Sequence, residues 1–246
     1  MRTPFALIVI ASAGCATAST PKPPPVAASA TAPPKAAAAP APPAKTASAW
    51  VRQGAAHRAG GRPSEAEAAY NEAIRIDPDH PDVWFNLGNL QLAGRHFGEA
   101  REQYDRALKI NPDDIDAKIN RGYALMGLKQ FEPAAKAFQA AIDQISGREE
   151  VWNGLGAARH RLGDDAGALE AFRRAHSLAP EDPRSRFNLG MQMSQPLLRG
   201  PADAAAYDEA IALLESYLAQ PLSDPRDSNA KVRVAALKKA KKKLAR

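Results

Sequence analysis

Side chains that could carry catalysis or bind a metal are sparse in this sequence. The five histidines occupy unrelated positions, and no two of them have the spacing of metal ligands. Neither a glycine-rich phosphate loop nor a nucleophile motif is present. The acidic pairs Asp113–Asp114 and Asp164–Asp165 could act as general acid and base, but they lie where helices are expected to begin and where carboxylates cap free N–H groups. We therefore expect no catalytic residue, no metal, no cofactor and no enzyme activity.

The single cysteine, Cys15, lies close to the amino terminus. It has no second cysteine with which to form an internal disulfide or to share a metal. Arg2 precedes a short apolar stretch from Phe5 to Ala13, which is about half as long as the roughly 20 residues that cross a bilayer. This pattern is typical of an export signal rather than of a transmembrane helix.

The segment "SAGC" that ends at Cys15 resembles the lipobox of bacterial lipoproteins, although that family prefers leucine where this chain has Ser12. The resemblance implies that residues 1–14 are a signal peptide and that fatty acyl chains on Cys15 anchor the chain in a membrane. An aspartate after the cysteine would favour the inner membrane. Because Ala16 stands there, the implied location is the outer membrane, facing the periplasm. The alternatives are an ordinary secretory signal cut at a small residue and a buried free thiol.

The segment that follows the signal peptide, residues 15–46, starts with Cys15 and continues as a linker rich in Pro and Ala. The linker contains no acidic and no aromatic residue, so it cannot bury enough apolar surface to offset its ordering entropy. We therefore predict a disordered tether that favours extended polyproline II conformations. The alternative is a proline-rich ligand for a partner.

The rest of the chain repeats itself every 34 residues. Glycines keep this period at Gly54, Gly88, Gly122, Gly156 and Gly190. Aromatic residues keep it at Tyr70, Tyr104, Phe138 and Phe172. A fixed period of this length indicates one supersecondary unit that stacks on copies of itself.

The consensus of these units is Trp-x-x-Leu-Gly, then Ala-x-x-x-aromatic-x-x-Ala and a closing proline, as in Val83–Asp114 and Val151–Asp182. It is identified as that of tetratricopeptide repeats. The resemblance implies an all-α fold, in which helix-turn-helix repeats form a right-handed solenoid with a concave side, behind the disordered Pro/Ala-rich tether.

Five repeats are predicted in residues 47–222. The fifth is degenerate: its second helix comes about eight residues late, and Pro196 and Pro201 predict a loop insertion from Ser194 to Asp203. The third lacks the closing proline, and Gly147 is expected to end its second helix. The repeat boundaries are 47–80, 81–114, 115–148, 149–182 and 183–222.

Residues 223–246 are predicted to form a basic C-terminal capping helix, with Val234, Leu237 and Leu244 docked on the last repeat. They carry a net charge of +7, whereas residues 47–223 carry −5, so a nucleic-acid-binding domain is not indicated. The basic end suits an anionic lipid, an acidic partner or a cell-wall polymer, or it is only a solvated cap. The lysines of this basic tail are Lys238, Lys239, Lys241, Lys242 and Lys243.

In tetratricopeptide repeats the concave groove is lined by the second, fifth, sixth, ninth and twelfth positions of each first helix. The resemblance implies an apolar groove with several asparagines, suited to a helix or an extended segment. Clamp-type relatives hold a terminal carboxylate with lysines, but the matching positions hold Val51, Phe85, Asp116 and Glu150, which disfavours chaperone tails. Some groove side chains could instead pack between repeats. The predicted groove residues are Phe85, Asn86, Asn89, Ile119, Asn120, Tyr123, Met126, Asn153, His160, Phe187, Asn188 and Met191.

In layout, the chain resembles lipid-anchored repeat proteins that act as pilotins or as gliding-motility assembly lipoproteins. The resemblance implies an outer-membrane scaffold whose groove binds envelope proteins, in a type IV pilus secretin or a gliding-motility complex. The alternative is a periplasmic adaptor that recruits cell-wall hydrolases or synthases. A cytoplasmic regulator of an enzyme would require a different interpretation of the amino terminus. Repeats alone do not choose among these functions, because a fold does not determine a function.

Overall fold

The structure is a computed structural model of the chain, and it describes residues 45–199, 203–220 and 225–244. The predicted signal peptide, Cys15 and nearly all of the predicted tether lie outside the described residues. The residues described form helices joined by short turns, with no strand. The predicted all-α architecture is therefore confirmed over this part of the chain.

Helices follow one another in pairs, and each first helix begins 34 residues after the one before it. Each helix packs against its neighbours in sequence, and first helices of adjacent repeats also contact each other, as in a solenoid. The helices are α1 (Ala47–Ala59), α2 (Pro63–Ile76), α3 (Pro81–Ala93), α4 (Phe97–Ile110), α5 (Ile115–Gly127), α6 (Phe131–Ile142), α7 (Glu149–Arg161), α8 (Asp165–Leu178), α9 (Pro183–Arg199), α10 (Ala204–Leu218) and α11 (Asp227–Leu244).

The repeating glycines of the first helices lie against large side chains of the second helices. A Cβ atom added at Gly122 would lie 2.8 Å from the ring of Phe138, and equivalent glycine–aromatic pairs occur in repeats one, two and four. Only glycine allows the two helices to approach this closely. In the fifth repeat Gly190 meets Leu214 instead, because the second helix begins later in the sequence. The 34-residue period therefore reflects the contact between paired helices.

Two of the predicted helix caps are confirmed. The side chain of Asp114 accepts a hydrogen bond from Ala117 N at the start of α5, and that of Asp164 accepts one from Gly167 N at the start of α8. The prediction for Gly147 was wrong, because α6 ends at Ile142. Gly147 instead lies in a second turn between α6 and α7.

The turn between the two helices of a repeat contains a residue with positive φ. In repeats one and four it is Gly61 and Gly163, with φ of 69° and 80°. In repeats two and three Arg95 and Lys129 occupy the same position, with φ of 62° and 60°. A side chain with a Cβ adopts this left-handed conformation less readily than glycine does. The packing of the two flanking helices must therefore hold the turn in repeats two and three.

The predicted loop insertion was wrong for residues 194–199, because α9 continues through Pro196 to Arg199. Proline inside a helix removes one backbone hydrogen bond and costs about 3 kcal/mol. Tertiary contacts offset this cost: Leu197 is buried, and the Tyr207 hydroxyl donates a hydrogen bond to the Leu197 carbonyl oxygen at 2.5 Å. Residue 201, where the second proline of the prediction lies, is outside the described residues.

The C-terminal helix α11 docks on the fifth repeat through Ala230, Val234 and Leu237, all of which are buried. The prediction that Leu244 docks as well was wrong, since its side chain is 46% exposed at the end of the helix. The apolar contacts of α11 with this core extend as far as the partly buried Ala240 and do not include the end of the helix.

Replacing Leu237 with Ala is expected to destabilise α11 by about 2–5 kcal/mol, because the side chain is fully buried and its loss leaves a cavity. Hydrogen exchange of the α11 backbone amides measures this effect, since a terminal element of a solenoid can open separately from the rest. Leu244→Ala is the matched control on the same helix and should change the exchange little. Equal exchange in both variants would show that Leu237 does not hold the helix in place.

Candidate peptide-binding groove

The first helices α5, α7 and α9 line two adjoining clefts. The first cleft has a volume of about 290 Å³ and the second about 340 Å³. Ala157 and Asn188 line both of them, so the two clefts form one continuous groove. The groove crosses repeats three, four and five on the side formed by the first helices.

Seven of the predicted groove residues line these clefts. They occupy the fifth, sixth, ninth and twelfth positions of their helices, which is the arrangement that the repeat pattern implies. The seven are Tyr123, Met126, Asn153, His160, Phe187, Asn188 and Met191.

The other predicted residues belong to repeats two and three and lie outside the two clefts. Phe85 is half-buried and packs against the ring of Tyr104, with 6.2 Å between the ring centroids. The prediction for Ile119 was wrong: only 2% of this residue is exposed, because it lies in the hydrophobic core with Phe138 and Leu155. It is not accessible to a ligand.

Asparagines link repeats two and three through side-chain hydrogen bonds. Asn120 Nδ2 and the hydroxyl of Tyr104 both donate to Asn89 Oδ1, each at 2.8 Å. Asn86 instead donates to the carbonyl oxygen of Asp82 in its own helix, also at 2.8 Å. In this part of the chain, Asn89 and Asn120 of the predicted groove therefore link the two repeats, and Asn86 does not.

A similar link joins repeats four and five inside the groove. Asn188 Nδ2 donates to Asn153 Oδ1 at 3.1 Å, and Asn153 Nδ2 donates to Ser185 Oγ at 2.9 Å. Each amide also lines the first cleft. These two asparagines therefore connect repeats and also offer their remaining hydrogen-bonding capacity to a ligand.

Some residues of the groove are absent from the predicted set. Glu150, Gly154, Ala157 and Arg184 line the first cleft from the second, sixth and ninth positions of their helices. The positional rule that selected their neighbours also identifies these four. The second cleft is completed by Arg161, Phe172, Gln192 and Gln195.

Tyr123 is the main polar anchor of the first cleft. Burial, with a smaller contribution from the nearby Glu150 carboxylate, raises the pKa of Tyr123 to about 12. The hydroxyl therefore stays protonated at neutral pH and donates to the Glu150 carbonyl oxygen at 2.8 Å. This bond connects α5 to the start of α7 and fixes one wall of the cleft.

The acidic rim of the first cleft is largely neutralised. Arg148 Nε donates to Glu150 Oε1 at 2.6 Å, and its Nη1 donates to Asp116 Oδ1. Burial alone would raise the pKa of Glu150, but hydrogen bonds from its own backbone N–H and from Arg148 favour the ionised form and lower the pKa overall. Glu150 is therefore charged but already paired.

Phe187 forms part of the floor of the second cleft. Its ring packs against that of Tyr217, with 5.1 Å between the centroids, and the Arg226 guanidinium lies 5.3 Å from its centroid. At the edge of the same cleft, His160 Nδ1 lies 3.5 Å from Asp165 Oδ1. Across the described ranges, no group of three or more His, Cys, Asp and Glu side chains is arranged to hold a metal ion.

The basic tail is partly paired with α10. Lys238 Nζ lies 2.6 Å from Glu215 Oε1, and Lys241 forms an ion pair with Asp208. Within the part of the chain that the structure describes, Lys239, Lys242 and Lys243 have no ion-pair partner. Two of the five lysines thus hold α11 against the fifth repeat.

None of the helices in the described ranges is both long enough and apolar enough to span a bilayer.

Comparison with known proteins identifies the repeats. Family models described as tetratricopeptide repeat match residues 57–119, 115–145 and 149–182, which together amount to half of the chain. No curated protein sequence matches the chain significantly.

Several solved structures share the fold. One titled as the functional characterization of pilF from Pseudomonas aeruginosa gives a TM-score of 0.67 at 19% identity, covering 81% of this chain and 87% of that chain. MamA from Desulfovibrio magneticus RS-1 gives a TM-score of 0.64 at 20% identity, and the match covers 72% of this chain and 97% of MamA. YrrB, described as a TPR protein with an unusual peptide-binding site, gives a TM-score of 0.58 at 17% identity. That match covers 80% of this chain and 92% of YrrB. At these identities the likeness shows the fold alone.

Proposed function

Because the chain belongs to the tetratricopeptide repeat family, whose members serve as scaffolds for protein–protein interaction, we propose that it binds a segment of a partner protein in the groove formed by α5, α7 and α9. The observation that carries this proposal is the continuity of the two clefts through Ala157 and Asn188. A continuous apolar groove with polar edges suits an extended or helical segment. YrrB, which shares the fold, is described as having a peptide-binding site.

We also propose that the chain is a lipoprotein anchored through Cys15 in the outer membrane, with the repeats facing the periplasm. The support is the "SAGC" segment after a short apolar stretch and the tether that separates it from the repeats. Several acyl chains on one residue anchor a protein stably, since each buried methylene contributes about 0.8 kcal/mol. In this setting the scaffold would assemble or stabilise an envelope machine, such as a type IV pilus secretin or a gliding-motility complex.

Site-specific photocrosslinking in intact cells tests this function. A photoreactive residue at Met126 or at Met191 should capture the same envelope protein, because each methionine lines one of the two joined clefts. The control position is Arg174, which is exposed on α8 and lies outside the groove. It should not capture that protein.

The identity of the captured protein decides between the functions. A component of a pilus or motility machine would support the proposal, and a cell-wall hydrolase or synthase would favour the adaptor. A cytoplasmic partner, or equal capture from Arg174, would contradict both.

A further inference from the structure

The groove does not end at the fifth repeat. A third cleft, of about 490 Å³, lies between α9 and α11. Met191 lines both the second and the third cleft, so the capping helix forms the last part of the same groove. The lining of the third cleft consists of Met191, Leu198, Asn229, Val232, Arg233 and Ala236.

The third cleft exposes apolar side chains that do not pack in the core. Val232 is 71% exposed and Leu198 is 38% exposed, on facing helices. The core contacts of α11 are made by other residues, Val234 and Leu237 among them. Apolar side chains that stay exposed on facing helices beside a groove offer a contact surface to another molecule.

Each of the three clefts contains one arginine: Arg184 in the first, Arg161 in the second and Arg233 in the third. Over the described ranges, Arg161 and Arg233 form no ion pair. Arg184 Nε is 3.7 Å from Asp182 Oδ1, and its side chain is 60% exposed, so this pair contributes little.

Carboxylates near these arginines lie outside the linings of the clefts: Asp165 is at the edge of the second cleft, and Asp182 is beside Arg184. Among the described residues that line the three clefts, the acidic side chain is Glu150, which Arg148 already neutralises. The repeats as a whole carry twenty-five acidic and twenty basic side chains over residues 47–223. The groove is thus a positive stripe on a negatively charged body, and such a contrast attracts and orients an anionic partner.

We propose that the three clefts together bind an acidic segment of the partner protein. The apolar side chains of that segment would pack on Ala157, Met191 and Val232, and its carboxylates would pair with the three arginines. This inference rests on the proposed function and specifies the chemistry of its ligand. It also makes α11 part of the binding site.

Charge complementarity argues against an occupant from the same chain. The predicted tether contains lysines and no acidic residue, so the positive groove would repel it. The described end of the tether also lies at the opposite end of the array, where Lys45 donates to Gln53 at 2.7 Å in α1. A segment of a separate, acidic protein is the occupant that the charges favour.

Binding of two synthetic probes tests the inference. One is a 16-residue peptide with alternating Leu or Phe and Glu, and the other has Lys in place of Glu. Against the full chain in non-ionic detergent, the acidic probe should bind at least about 30-fold more tightly in fluorescence anisotropy, because like charges oppose the basic probe. Raising the salt concentration should weaken binding of the acidic probe, since salt screens exposed charges and the screening length is already only about 8 Å at physiological ionic strength.

Two matched variants locate the binding. The triple variant Arg161→Gln, Arg184→Gln and Arg233→Gln should bind the acidic probe at least about 10-fold more weakly than the wild type does. The variant with Gln at Lys239, Lys242 and Lys243 should stay within about 3-fold of the wild type, because these lysines lie outside the three clefts and, unlike Lys238 and Lys241, do not pair with α10. If the probes bind equally, if the arginine variant binds like the wild type, or if only the lysine variant loses binding, the inference is wrong.

Two further outcomes would assign the groove to another occupant and overturn the inference. Tighter binding of the probe after deletion of residues 16–43 would identify the tether as the occupant. A dimer that the acidic probe dissociates in sedimentation would identify a second copy. The photocrosslinking result is independent: a captured partner with a neutral or basic contact segment would leave the proposed function intact and contradict only the acidic ligand.

Discussion

Replacing Phe138 with Ala is expected to lower the free energy of unfolding by about 3–5 kcal/mol. The ring is fully buried and lies between two repeats: a Cβ atom at Gly122 would come within 2.8 Å of it, and one at Gly154 within 2.7 Å. It also makes an edge contact with Tyr123, with 5.1 Å between the centroids. Removing the ring therefore leaves a cavity at the junction of repeats three and four. Urea unfolding followed by circular dichroism measures the loss.

Two variants control this prediction. Phe131→Ala, at the start of the same helix, should lower the free energy of unfolding by less, because that residue is partly exposed. Gly154→Ala should destabilise the wild type, where its methyl group would clash with the ring, and should be tolerated better beside Phe138→Ala. Strictly additive effects of the two substitutions would show that the ring and the glycine do not contact each other.

Replacing Cys15 with Ser is expected to release the chain from membranes completely while the repeats stay folded. The reason is that the proposed acyl chains attach to this sulfur and supply the membrane anchor. Fractionation of cells, with the intact mass of the mature chain, measures the result. The wild type should be found with the membranes and should carry the added mass of its lipid.

Ser12→Leu is the matched control, because it introduces the residue that the lipobox family prefers and should keep the chain in the membrane fraction. If the Cys15→Ser variant remained in that fraction with the mass of the wild type, the anchor would be disproved. The repeats and their groove would be unaffected by that outcome, since they rest on residues 47–220.

The repeat architecture was predictable because its determinants are periodic and local. Glycine and aromatic residues recur at 34-residue intervals since each pair marks the same helix contact, as Gly122 and Phe138 show. Helix caps such as Asp114 depend on the two or three residues that follow them. Seven of the predicted groove residues line the clefts for the same reason, because helix position sets which side of the solenoid a side chain faces.

The functional surface was less predictable, because burial depends on neighbours far away in the sequence. Ile119 occupies a position that faces the groove in the repeat pattern, yet it lies in the core with Leu155 of the next repeat. Asn89 and Asn120 were expected to meet a ligand, but they bond to each other across two repeats. No local pattern distinguishes a side chain that binds a ligand from one that binds the adjacent repeat.

The sequence by itself determined that this protein is a helical repeat array, where its units begin, and that its charge is split between an acidic body and a basic end. Only the tertiary structure decided how the array ends. Helix α9 passes through Pro196 because Leu197 is buried and Tyr207 bonds to its carbonyl oxygen, and these contacts outweigh the local cost of proline. By the same packing, α11 is placed beside α9 so that Val232 and Arg233 extend the groove. Local propensities cannot reveal such effects, because the energy that stabilises them comes from contacts between separate elements.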